Sequence, residues 1–379
     1  MKARYLTFLG LFSMAQFALI SCSDAIFATI ETERKTATNS LSLTLSIFDI
    51  AVPVPGTYCV AAGGVFQGIY SLANGVAWTP NINDNSRPYN PSGAVCNAMS
   101  LFGGVLYGGF VTSSGSPSLY QSDGTYSFGN GRGTLITSTA APGEQVTLLR
   151  SAGPVVTPYL FMGGTTGTTG LTFELDYSSN GTVWTATNLT GLPYPISGVG
   201  WDGTNYWAAS QANVYTSLNP ASNFVPPPIN PVPSNDQVNG VFADSANGRV
   251  FLATKLNGIY WLQEPGTSWN HISPDQQGSV TVSYLCVTGP VGTDSSGNTI
   301  YLAGSDGYGY YTVAIPPVGP GGMSRFGDST ILLFTSSVSR IAWDSANSNV
   351  LMGTNANGLW RGVFDSTGAL ASGQSWTHE

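Results

Sequence analysis

The segment from Asp344 to Trp360 nearly repeats the segment from Asp244 to Tyr260, without a gap, one hundred positions apart. The first reads Asp-Ser-Ala-Asn-Ser-Asn-Val-Leu-Met-Gly-Thr-Asn-Ala-Asn-Gly-Leu-Trp and the second Asp-Ser-Ala-Asn-Gly-Arg-Val-Phe-Leu-Ala-Thr-Lys-Leu-Asn-Gly-Ile-Tyr. Midway between them, Ile300-Tyr-Leu-Ala-Gly-Ser-Asp-Gly-Tyr-Gly-Tyr310 keeps the same frame of apolar residues, small residues, a Gly turn and an aromatic. The frame occurs again at Val60-Ala-Ala-Gly-Gly-Val-Phe-Gln-Gly-Ile-Tyr70. A unit of about 50 residues built from short strands has too little apolar surface to form its own core. It must stack on copies of itself.

Seven units can be laid out on the aromatic that follows the Gly turn: Tyr70, Tyr120, Tyr177, Tyr215, Tyr260, Tyr310 and Trp360. The fifth is predicted as strands 238–243, 249–254, 258–262 and 268–272, with apolar residues alternating along them. This arrangement predicts an all-β fold, a single seven-bladed β-propeller of four-stranded antiparallel blades over residues 41–379. Composition agrees with it. The 379 residues include 47 Gly and 23 Pro with only 8% charged side chains, too few for long amphipathic helices.

The first 21 residues do not belong to the ring. Lys2 and Arg4 precede an uncharged apolar run from Tyr5 to Ile20, the pattern of a secretory signal. The run ends in Leu19-Ile20-Ser21-Cys22. This resembles the bacterial lipobox, and the resemblance implies cleavage before Cys22 and lipidation of its sulfur. Residues 22–40 then form a polar stalk. The expected location is the bacterial cell envelope, lipid-anchored, on the outer membrane facing the periplasm or the cell surface.

A second large aromatic follows most anchors. It closes Ser71-Leu-Ala-Asn-Gly-Val-Ala-Trp78, Gln121-Ser-Asp-Gly-Thr-Tyr-Ser-Phe128 and Ser178-Ser-Asn-Gly-Thr-Val-Trp184. These segments resemble the Asp-box hairpin of sialidase-like and sortilin-like propellers in a degenerate form. The resemblance implies a structural turn in which Asp or Asn accepts backbone N–H groups, Gly takes a positive φ and Trp wedges between blades. In the last unit the slot falls to Trp376, in an outer strand over 374–378. The fourth unit is short and runs into Val225-Pro-Pro-Pro-Ile-Asn-Pro-Val-Pro233, a polyproline connection.

Chemistry is sparse. Loss of residues 1–21 moves the formal charge from −8 to −10, so the surface repels phosphate polymers and nucleic acid is excluded as a partner. His271 and His378 are the only histidines and lack metal-ligand spacing; His378, next to the end, is expected to fray. The Asp-Ser turns at Asp244, Asp294 and Asp344 lack the carboxylates of a calcium loop and read as Asx turns. Neither a metal nor a cofactor is expected. A sialidase needs three arginines around a substrate carboxylate, yet no Arg-Ile-Pro motif occurs, and Glu144, Glu174 and Glu264 fall at unrelated phases of the repeat. Cys59, Cys96 and Cys286 read as small apolar residues buried in strands.

The expected function is a binding or scaffolding module for a protein or glycan partner, held to the membrane by its lipid. The second reading is a secreted carbohydrate-active, glycoside-cleaving enzyme, which requires two carboxylates converging at the channel mouth. The candidate binding residues are Trp201, Asp202, Trp343 and Asp344, because each Trp-Asp pair ends an inner strand and opens its turn. Packing of both Trp rings between blades, with both Asp residues capping turns, is the competing account.

Overall fold

A computed structural model describes residues 46–63, 68–73, 79–80, 95–111, 119–126, 134–136, 146–166, 172–326 and 332–379. Cys22, the signal segment and the stalk lie outside these residues, as do Trp78 and Phe128. The described chain is built from antiparallel sheets whose strands follow one another in sequence order. The inner strands are Ser46–Val54, Val95–Phe102, Val146–Ala152, Ile196–Trp201, Val238–Asp244, Tyr284–Thr293 and Val338–Asp344. Each packs against the next, and Val338–Asp344 packs against Ser46–Val54, which closes a ring around a central channel.

Six blades are four-stranded, where seven were expected; the fourth repeat forms a sheet of three strands, Ile196–Trp201, Tyr206–Ser210 and Asn213–Ser217. The reason is local. After Ser217 the chain returns to pair only through Thr216 and Val225, which exchange both backbone hydrogen bonds at 2.8 and 3.0 Å. Pro226, Pro227 and Pro228 follow, and a residue without an N–H cannot extend the ladder. The proline segment is instead fixed by side chains: Trp269 Nε1 donates to the Ile229 carbonyl and Asn230 Nδ2 to the Ala212 carbonyl. A further hairpin, Gln276–Gln277 with Val280–Thr281, separates the fifth and sixth repeats.

All seven anchor aromatics lie on third strands. Of these, Tyr310 is fully buried, and Tyr120, Tyr260 and Trp360 nearly so. Close stacking of sheets needs small residues where a second strand faces the neighbouring inner strand. A Cβ on Gly304 would fall 2.2 Å from the Val338 carbonyl oxygen, and one on Gly353 2.5 Å from Ile47 Cγ2. Any side chain at either position would force the blades apart.

The turn at Ser178–Trp184 shows how a short polar sequence fixes a hairpin. Asn180 Oδ1 accepts the N–H groups of Thr182 and Val183 at 2.9 and 2.8 Å. Ser178 Oγ accepts that of Gly181, whose φ is +77°. Trp184 is thereby directed into the apolar cluster between the second and third repeats. At the far end of the chain Trp376 is buried edge-on to Tyr310, and Thr377–His378 forms the outer strand with His378 opposite Trp360. The penultimate residue is therefore paired, not frayed. His271 occupies the same place in the fifth repeat: its imidazole stacks on Tyr260 and that of His378 lies tilted over Trp360, both at 4.6 Å, with Nε2 against the carbonyl of Asn257 or Asn357.

Candidate functional site

Every inner strand carries one register shift near its start, so that two of its residues oppose one on the second strand. Such a β-bulge bends the strand and re-aims the next side chain. The residues just after the shift are Asp49, Ala98, Leu148, Gly198, Gly240, Cys286 and Arg340. Four are aliphatic or Gly. The other three put a carboxylate, a thiol and a guanidinium against a channel of about 450 Å³ that is walled by all seven inner strands.

Arg150, two residues beyond Leu148, completes the group. Its Nη1 donates to Asp49 Oδ2 at 2.9 Å, and its Nη2 lies 3.5 Å from Oδ1. Asp49 is only 2% exposed and also accepts the backbone N–H of Met99 at 2.8 Å and of Ile50 at 3.0 Å. Arg340 approaches from the other side, with Nε 3.6 Å from Asp49 Oδ1. One carboxylate thus stands between two guanidinium groups from the third and seventh repeats. Burial works against the charge of Arg150, but the Asp49 carboxylate more than offsets it and raises the Arg150 pKa. Burial pushes the Cys286 thiol up to about 11 although Arg340 and Arg150 pull it down, so it stays protonated at neutral pH.

The four residues singled out from sequence occupy two environments. Asp202 is 1% exposed; it accepts the N–H groups of Thr204 and Asn205 and the indole N–H of Trp207. Asp344 is 3% exposed and accepts from Gly56 N, Tyr58 Oη, Asn347 N and Asn347 Nδ2. Both carboxylates are engaged in turns and blade junctions. Trp201 and Trp343 are only half-buried. Trp201 lines the channel beside Tyr206, and Trp343 lies against the cluster between the sixth and seventh repeats.

The junction at Asp344 has a twin. Tyr301 Oη donates to Asp244 Oδ2 at 2.6 Å, as Tyr58 Oη does to Asp344 Oδ2 at 2.9 Å. Arg249 and Asn349, the first residues of the second strands, donate to those same phenols. The same lock therefore joins the fifth repeat to the sixth and the seventh to the first. Burial and the adjacent aspartate raise the Tyr58 pKa to about 12, so the phenol remains a donor.

No protein-family model matches the chain, and no curated protein matches it. Solved structures do. An ancestral GH74 enzyme superposes with a TM-score of 0.61 at 15% identity over 88% of this chain and 46% of that one. The BT4673 extracellular domain from B. thetaiotaomicron superposes with a TM-score of 0.56 at 14% identity, over 83% of this chain and 38% of that one. YCF48 from Cyanidioschyzon merolae gives 0.54 at 15% identity, over 84% and 94%. The chain spans less than half the length of the first two. At these identities the likeness establishes the β-propeller fold alone.

Asp49, Arg150 and Arg340 were not singled out from sequence. Gly240 and Arg340 stand at the same phase, four residues before the near-identical segments begin, in flanks that differ at most positions, so the arginine did not stand out as a departure. Its meaning depends on the bulge, which the sequence does not mark. The glycoside-cleaving reading required paired carboxylates here; among the described residues lining the channel, Asp49 is the sole carboxylate.

Proposed function

We propose that this chain is an envelope-anchored binding module that recognises a protein or glycan partner through the channel and the rim at which the inner strands end. The observation that carries the proposal is the channel itself. Its wall is fixed by backbone pairing in seven sheets, it has a volume within the usual range for ligand sites, and an indole ring lines it. In this reading Trp201 and Trp343 supply contact area, while Asp202 and Asp344 hold the turns that present them. The extracellular nature of the BT4673 domain and the GH74 assignment of another structural neighbour agree with an exported, glycan-related role. The degenerate Asp-box pattern supports the same grouping.

The test is retention of glycans and envelope proteins by the purified full chain, compared with Trp201→Ala and Trp343→Ala. Retention should fall by about tenfold or more in at least one variant while melting changes little. Unchanged retention in both would remove the rim from consideration. Anchoring is tested separately: Cys22→Ala should leave the precursor unprocessed or release the protein from membranes. Processing and membrane association that persist unchanged would rule out the lipid.

A further inference from the structure

We infer that the channel is a site for a small hydroxylated monocarboxylate, whose carboxylate group is held by Arg340 together with the outer edge of Arg150. The inference rests on the binding-module reading and names the ligand class at its centre.

A carboxylate offers about four lone-pair positions, two on each oxygen. On Asp49 all four are taken: Ile50 N and Arg150 Nη2 at Oδ1, Met99 N and Arg150 Nη1 at Oδ2. Arg340 therefore stops 3.6 Å short, as an ion pair without a hydrogen bond. Its Nη1 donates to the Ser339 carbonyl, but its Nε is buried and has no hydrogen-bond partner. That atom is closed to solvent and faces the Asp49 carboxylate, so the capacity Arg340 has for a ligand lies at its terminal nitrogens on the channel wall.

The charge balance points the same way. The channel lining holds two guanidinium groups against one carboxylate, a local excess of one positive charge in a chain whose formal charge is −8. That excess matches a single anionic group. Guanidinium presents paired N–H donors that suit a planar carboxylate. Of the polar residues on the rest of the wall, Ser100 Oγ accepts from Ser151 N, Ser197 Oγ donates to the Ala209 carbonyl and Asn239 Nδ2 donates to the Tyr284 carbonyl. That leaves Asn239 Oδ1 and the Thr288 hydroxyl for hydroxyl groups of a ligand. Each arginine is about one-third exposed, so a ligand in the channel can reach it.

Lactate is the probe, with lactamide as its uncharged counterpart and inorganic phosphate as a dianion. The readout is the NMR shift of the Trp201 indole N–H in the purified full chain. Lactate should shift it saturably and lactamide should not. Phosphate should bind more weakly than lactate, because the channel offers one unmatched positive charge. Chloride should compete in the unaltered protein, a control that needs no variant. Arg340→Gln removes only the ion pair and the bond to Ser339, and should weaken lactate about tenfold. Arg340→Lys should keep part of the affinity, and Asp49→Asn should tighten it. Equal shifts with lactamide, or lactate binding indifferent to chloride and to Arg340→Gln, would overturn the site. If lactate fails while partner retention still depends on Trp201 or Trp343, the carboxylate site alone is wrong. If lactate binds as described while neither glycan nor protein is retained, it is the module reading that falls.

Discussion

The blade corners and the channel wall both bury aspartates, and they do so on opposite terms. At the corner, Asp344 is surrounded by donors of its own turn and by Tyr58 of the adjoining repeat. Burial alone would raise its pKa, yet the hydrogen bonds from Asn347, Gly56 and Tyr58 hold it below the usual carboxylate range. Every donor there has an acceptor. In the channel Asp49 is equally satisfied, but the second of its two guanidinium groups is held as an ion pair without a hydrogen bond to it and has one bond of its own, to the Ser339 carbonyl. A corner stabilises the ring, whereas the channel keeps a donor for something outside the chain. Burial of a carboxylate by itself thus says little about role; the count of donors around it separates scaffold from site.

Asp176 sharpens the contrast, because it has neither arrangement. It is fully buried on the third strand of the third repeat, neither oxygen has a hydrogen-bond partner, and burial, with Glu174 nearby, pushes its pKa up to about 7. The neutral acid is the form that fits the folded ring. Its contribution is therefore fully present below the ordinary carboxylate pKa, declines as pH rises, and is gone above about 7. Relative to Asp176→Asn, the unaltered protein should lose about 4 kcal/mol of stability between pH 4 and pH 8, read by urea unfolding. A parallel pH profile in the two proteins would mean that Asp176 has donors after all.

The corner predicts the opposite sign. Asp344 stabilises the ring above the ordinary carboxylate pKa, and that stability is lost as pH falls through its lowered value. Asp344→Ala strands the Tyr58 phenol and the Asn347 amide at the ring closure and should cost about 3 kcal/mol at pH 7. A cost under about 1 kcal/mol would show that the closure does not rely on this corner.

The smallest effects come from the two phenols. Tyr58→Phe and Tyr301→Phe each delete the hydrogen bond to a corner carboxylate and the one accepted from Asn349 or Arg249, at about 1–2 kcal/mol apiece. The cost should be the larger at Tyr301, whose hydroxyl accepts from the charged Arg249 where that of Tyr58 accepts from Asn349, and each should shrink when its partner Asp244 or Asp344 is already Asn. Additive losses in those double variants would show that phenol and carboxylate are not coupled.

Much of the ring was legible in advance for a physical reason. Strands, Gly turns and Asx caps are local, and a repeated sequence repeats local preferences. The fifth repeat, expected at 238–243, 249–254, 258–262 and 268–272, forms Val238–Asp244, Arg249–Thr254, Ile259–Gln263 and Asn270–Ile272. The fourth repeat was marked as short, but its missing outer strand was not foreseen, since Val225 forms one bridge before the prolines intervene. Trp201, at the end of its inner strand, lines the channel. Its neighbour Asp202 faces turn amides and Trp207.

By itself, the sequence determined the stacking unit, its strands and the turns between them, because each is set by residues within a few positions of one another. Only the tertiary structure decided which charges meet. Arg150 reaches Asp49 across 101 positions and Tyr58 reaches Asp344 across 286. Those contacts exist because the ring closes and because a one-residue bulge turns Asp49 and Arg340 to the channel. A bulge shifts the alternation of faces by one residue, so a side chain that periodicity assigns to one side emerges on the other.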